Sequence, residues 1–155
     1  MERRVAEFED RYYRDAHEIA ALVRGFESCT LPFARWTHEA HLTVALWFLA
    51  HHDPDEATER IRHGIQRYNL ANGVIQTPQR GYHETITRLY IWAVGRYLAE
   101  RRAEPSPPAL LVLTNDLLAS PYGERAFPLT YYTRERLMSW EARTGWVEPD
   151  LRALE

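Results

Sequence analysis

Apolar residues recur along the chain at helical spacing. Ile19, Leu22, Val23 and Phe26 share one face behind Asp15 and Glu18, a capping-box pair that satisfies the unpaired amides of a helix start, and so predict a helix over 15–28. Pro32 has no amide proton and biases Leu31 away from helical dihedrals, which breaks the pattern at 30–33. Thr37 then caps a second helix, with Glu39 in its positive first turn. After His41 the run Leu42, Val44, Ala45, Leu46, Trp47, Phe48, Leu49 leaves no polar face, and such a helix belongs in the middle of a bundle. It stops at His51-His52. Asp53-Pro54-Asp55-Glu56 opens a third helix whose inner face is Ala57, Ile61, Ile65 and Tyr68, ended by Asn72-Gly73.

A polar loop over 74–81 leads to a fourth helix over about 82–101, with Ile86, Leu89, Tyr90, Ala93, Val94 and Tyr97 facing inward. Beyond a proline-rich break, a fifth helix runs through Leu111, Leu113, Leu117 and Leu118 to Ser120-Pro121. Residues 122–132 show no period. Thr133 caps a short sixth helix across 134–143, and 144–155 form an extended tail whose Trp146 and Leu151 require it to fold back on the bundle. At the other end Val5, Phe8 and Tyr12 predict a loosely attached amphipathic turn within 1–14. No alternating run of β-branched residues competes. The expected fold class is all-α: one domain over 1–155, a helical bundle of five to six helices. Short connections make the second and fourth helices parallel neighbours, with the third antiparallel.

The 155 residues, 45% of them hydrophobic, suffice for a core without staples. A single cysteine, Cys29, excludes an internal disulfide framework. The amino terminus alternates charges, and no apolar run approaches the roughly 20 residues that span a bilayer, so the expectation is a cytoplasmic protein without membrane partners. A net charge of -3 and a pI near 6.2 argue against nucleic acid as partner. The oligomeric state is not set by these features.

Candidate chemistry gathers at two helix starts, His38-Glu39-Ala40-His41 and Tyr82-His83-Glu84. If the third helix runs back, both lie at one end of the molecule. His38 and His41, three apart, are neighbours on a helix, and His83 or Glu84 can add a third ligand. That set suits one transition-metal ion, zinc, iron, manganese or nickel, with no organic cofactor. The spacing differs from the HExxH signature, which needs four, and two positive helix ends disfavour a cation unless Glu39 and Glu84 compensate. The alternative is a metal-free pocket for a small anionic or aromatic ligand. In it His83 or His41 acts as acid or base, Glu84 orients the imidazole, and Arg80 and Tyr82 hold a carboxylate or phosphate. A non-catalytic interaction protein is the third possibility.

Blander roles exist for the same residues. Glu84 can pair with Arg88 one turn on, and His51, His52 and His63 fit a solvated surface. Cys29 fits a small buried hydrophobe better than a nucleophile. Glu18 can join the site only if geometry allows. Tyr68, Tyr82, Tyr90, Trp92, Tyr132, Trp140 and Trp146 can line an organic-ligand pocket, but at helical spacing they are first of all core.

Across residues 22–152 the chain resembles a family of small bacterial helical proteins. The resemblance rests on Phe26-Glu-Ser-Cys-Thr-Leu-Pro32, Trp36-Thr-His-Glu-Ala-His-Leu42, Gly64-Ile-Gln-Arg-Tyr-Asn69, Gly81-Tyr-His-Glu-Thr-Ile-Thr87, Tyr131-Tyr132, Ser139-Trp-Glu-Ala-Arg143, Trp146, Pro149 and Asp150. It implies hot spots at His38, His41, His83 and Glu84, without implying an activity.

Overall fold

Side-chain caps set the first helix starts. Asp15, Thr37 and Asp53 each accept the amide three residues on, at 3.0, 3.2 and 3.0 Å, and open α1 (Ala16–Glu27), α2 (His38–His51) and α3 (Pro54–Ala71). The long α4 spans Glu84–Arg102 and α5 spans Leu110–Ala119. α4 begins two residues after the expected Tyr82, because His83 is itself the cap and its ring accepts the Ile86 amide. The single helix expected over 134–143 is two, α6 (Arg134–Leu137) and α7 (Trp140–Thr144). Ser139 divides them: its hydroxyl donates to the Arg136 carbonyl at 2.7 Å and accepts the Ala142 amide at 3.1 Å, closing one helix and starting the next. The computed structural model describes residues 12–155; the turn expected around Val5 and Phe8 falls outside them. With seven α-helical segments and no strand among the described residues, the protein is an all-α helical bundle.

α1 ends in a Schellman turn. Thr30 N donates to Gly25 O at 2.8 Å and Cys29 N to Phe26 O at 3.1 Å, which places Cys29 at the left-handed position with φ of 60°. The chain then turns through Phe33–Arg35, and α2 enters the centre of the bundle, its Leu42, Val44, Leu46 and Phe48 buried. Phe26 packs on Trp36, Phe48 and Tyr68 with ring centroids 4.7, 6.5 and 5.9 Å away. Gly64 makes that packing possible, since a Cβ there would sit 2.6 Å from the Phe26 ring.

Two contacts fix how α2 and α4 lie together. The His38 ring meets Tyr90 at 5.5 Å, and Arg102 donates to the Ala50 carbonyl at 2.9 Å, an offset of 52 residues at both ends. The helices are therefore parallel neighbours. α3 runs back beside them, bringing Tyr68 near its end to within 5.3 Å of Trp36 before the start of α2. The same register puts His38 level with Tyr90, not with His83; the seven residues between are about 10 Å of helix rise.

Beyond α7 the chain lies along α4. Thr85 donates its hydroxyl to Gly145 O at 2.7 Å and accepts Val147 N at 3.2 Å, and Arg88 sits 4.8 Å from the Trp146 ring. Asp150 returns to α6, accepting both the amide and the hydroxyl of its cap Thr133, at 2.8 and 2.7 Å.

Candidate functional site

The start of α2 opens into a pocket of about 350 Å³ between α2, α3 and α4. Helical spacing puts His38, His41, Leu42 and Ala45 on its α2 wall; α3 contributes Ile61 and Ile65, and α4 contributes Ile86, Thr87, Tyr90 and Ile91. Trp36 and Thr37 border it from the turn before α2, and Arg125 from the loop after α5. The pocket thus has aliphatic sides and one polar corner.

In that corner, hydrogen bonding to the backbone orients His41. Its Nδ1 lies 2.6 Å from the Thr37 carbonyl, which can only accept. Nδ1 therefore carries the proton, and Nε2 of the neutral ring presents a lone pair. The ring stacks on Trp36 with centroids 3.7 Å apart. Desolvation pushes its pKa down to about 4, and the charges of His38 and Arg125 act in the same direction. The residue is nonetheless exposed, since the pocket in front of it is open, and water there works against desolvation. Crowding and exposure oppose each other in size, but the imidazole is neutral at pH 7 on either count.

His38 is more enclosed. Burial lowers its pKa first, Glu39 raises it, Arg125 lowers it, and the backbone carbonyls of Tyr122 and Gly123 raise it slightly as hydrogen-bond partners. Its Nε2 has no partner at all. The same holds for the hydroxyl of Tyr90, whose ring stands edge-on to His38 at 66°. These are the two buried side-chain polar atoms without a hydrogen bond among the described residues, and both belong to residues that line this pocket. Natural proteins satisfy nearly all buried polar atoms, so two left open on neighbouring rings call for an explanation. Desolvation raises the Tyr90 pKa, so the phenol keeps its proton.

The start of α4 is built differently. Both nitrogens of His83 are used: Nδ1 accepts Ile86 N at 3.1 Å and Nε2 meets the Leu137 carbonyl at 2.7 Å. Only the neutral ring with its proton on Nε2 satisfies both. Burial accordingly lowers its pKa, helped by Arg143. Glu84 turns to α3, where Arg62 clamps it through Nε and a terminal nitrogen, each at 2.9 Å, and the Tyr82 hydroxyl donates to it as well. Burial raises the Glu84 pKa, but these partners outweigh it and the net direction is down. Glu84 thus pairs with Arg62 across the bundle, while Arg88, the partner one turn on, lies over Trp146.

The four residues expected to share a site fall into two groups. His38 and His41 line the pocket; His83 and Glu84 are committed to the cap and the ion pair. Tyr82 is buried and bonded to Glu84, and Arg80 is exposed in the preceding turn, where its backbone pairs with Thr77. Glu18 returns to its own helix start, accepting Arg14 N at 3.1 Å, and Cys29 packs against the core. His51 bonds the Trp47 carbonyl, while His52 and His63 lie beside Glu56 and Glu59 at 3.5 and 3.6 Å. Among the described residues no group of three or more His, Cys, Asp or Glu is placed to hold a metal ion. Nor is any described helix long and apolar enough to cross a membrane.

Of the aromatic residues that could line a pocket, Tyr90 does so here, although its spacing reads first as core. Arg125 is the site residue that sequence reasoning missed, since it lies in a stretch without period, where spacing gives no hint of direction. Compared with protein-family models, curated proteins and solved structures, the chain finds no match.

Proposed function

We propose that the protein binds a small organic molecule in the pocket at the start of α2, with an apolar body against Leu42, Ile61, Ile65, Ile86 and Ile91 and an anionic group toward Arg125. The observation that carries this reading is an aliphatic pocket with a polar corner of His38, His41, Tyr90 and Arg125, two of whose residues, His38 and Tyr90, also carry buried polar atoms without a partner. Its volume falls within the range of roughly 300–1,000 Å³ usual for small-molecule sites. The positive end of α2 and the Arg125 guanidinium favour an anion over a cation there. His41 Nε2, with its lone pair fixed by the Thr37 contact, is the acid–base group such a ligand meets.

That same contact supports a second reading, a transition-metal ion on His38 and His41. A metal-binding histidine typically donates its other nitrogen to a carbonyl, as His41 does. In that case the ligand or water must complete the coordination, because His83 and Glu84 are engaged elsewhere.

Calorimetric titration of chelator-treated protein with aromatic and branched carboxylates, and separately with zinc and nickel, tests both. The pocket reading predicts one equivalent of a carboxylate bound without metal, weakened at least tenfold by Arg125→Ala. Binding of zinc in one equivalent, abolished by His41→Ala, with carboxylates bound only afterwards, would establish the metal reading instead. Neither class binding would overturn both.

A further inference from the structure

The pocket changes character along α2. Residues four apart share one face of a helix, so Thr37, His41 and Ala45 form a single row on the α2 wall. The row begins polar, at the positive helix start that Arg125 borders, and turns apolar at Ala45. One turn further on, Leu49 lies in the core rather than on the pocket wall. α3 repeats the pattern: Ile65 and Ile61 border the pocket, and Ala57, the next residue on that face, lies in the core. Along both helices the wall gives way to packed side chains within one turn.

Ala45 is the smallest side chain on that wall, where every other residue is at least the size of threonine. A leucine at the same position would bring three more carbons to the apolar end. The rise of α2 sets the length available: about 6 Å from His41 to Ala45 and about 12 Å from Thr37. A carboxylate at the polar end leaves that distance for a tail of roughly six to eight carbons. The volume of about 350 Å³ agrees, standing near the lower limit of the roughly 300–1,000 Å³ usual for small-molecule sites.

On the reading that the pocket binds a molecule with an anionic group toward Arg125, we propose that its ligand is a monocarboxylate whose apolar tail lies along α2 and ends at Ala45. Ala45 is then the residue that sets how long a tail the protein accepts. Each methylene that enters the pocket strengthens binding by about fourfold, and one that finds no room beyond Ala45 adds nothing.

Calorimetry on the full chain with butanoate, hexanoate, octanoate and decanoate tests this. Affinity should rise at least fivefold for each two added carbons as far as hexanoate or octanoate, and gain nothing further at decanoate. Ala45→Leu should weaken octanoate at least tenfold and leave butanoate within threefold, while the melting temperature does not fall, because the new side chain fills open space. Ala45→Val should do the same to a smaller degree, and decides the matter if the leucine variant does not fold. Arg125→Gln should weaken all four probes by a similar factor and leave the limiting length where it was. Affinity rising by the same factor through decanoate, or an octanoate-to-butanoate ratio untouched in the Ala45 variants, would overturn the role of Ala45 and leave the carboxylate pocket standing. So would binding of aromatic or branched carboxylates with none of the four straight-chain probes. No binding of any carboxylate would remove the pocket reading as well.

Discussion

The starts of α2 and α4 carry the same kinds of residue at the same end of the bundle and use them in opposite ways. At α4, the imidazole of His83 caps its own helix and reaches Leu137, and Glu84 closes an ion pair with Arg62. At α2, Thr37 does the capping, which releases His38 and His41 to face a cavity, one with an unpartnered nitrogen. Residue type does not separate a structural histidine from a candidate functional one here; what separates them is whether each polar atom has a partner.

The comparison predicts unequal responses to mutation. The largest loss should follow Glu84→Ala, which takes the two-point clamp from Arg62, leaving it only its contact with Glu59, and strands the Tyr82 hydroxyl. With the two side chains 23% and 14% exposed, solvent softens the loss, and we expect about 2–3 kcal/mol by urea unfolding. Next comes His83→Ala, at about 2 kcal/mol, the sum of a lost cap and an unsatisfied Leu137 carbonyl. His83→Asn, which can still accept the Ile86 amide, should recover roughly half of that. A variant of Glu84 or His83 that unfolds like the natural protein but loses ligand binding would reverse the roles assigned to the two helix starts.

Acid should act on both starts in one direction. His38, His41 and His83 all have folded pKa values below the ordinary 6.5, so between those values and 6.5 the unfolded chain binds more protons than the folded one. Stability is therefore complete above about pH 6.5 and falls as pH drops below it, for His41 down to about 4. Unfolding free energies measured across pH 7.5 to 4.5 should show this slope, and His83→Asn should make it shallower. A flat profile would mean that none of the three is held neutral by the fold.

The smallest effect on stability is the most diagnostic. Tyr90→Phe removes a hydroxyl that has no partner, so it should leave stability unchanged or raise it by up to about 1 kcal/mol. Loss of stability in this variant would show that the hydroxyl is bonded within the protein.

Much of this fold was legible in the sequence, because its helices are announced by physics that is local. Asp15, Thr37 and Asp53 cap where their side-chain chemistry demands, and the all-round apolar face of α2 required its central place. The parallel order of α2 and α4 followed from two short reversals. The misplaced details were those in which a residue had two local uses: His83 reads as a site histidine but caps, and Ser139 reads as helix interior but divides α6 from α7. The site was only half legible for a reason of distance. Spacing identifies neighbours on one helix, which found His38 with His41. It does not give the register between helices, which sets Tyr90 rather than His83 opposite His38. Arg125 reaches the pocket from a loop that no periodicity describes.

Whether His83 at one helix start holds the fold while His38 and His41 at the other meet a ligand can be read directly from the side-chain nitrogens. Long-range proton–nitrogen NMR correlations of ¹⁵N-labelled protein at pH 7.5, recorded with and without a saturating aromatic carboxylate, report the tautomer and environment of each ring. His83 should be protonated on Nε2 and unmoved by ligand, while His41 should be protonated on Nδ1 and the ring resonances of His38 and His41 should shift together as ligand is added. Nε2 of His83 moving with ligand, or His38 and His41 remaining silent while ligand binds, would contradict it.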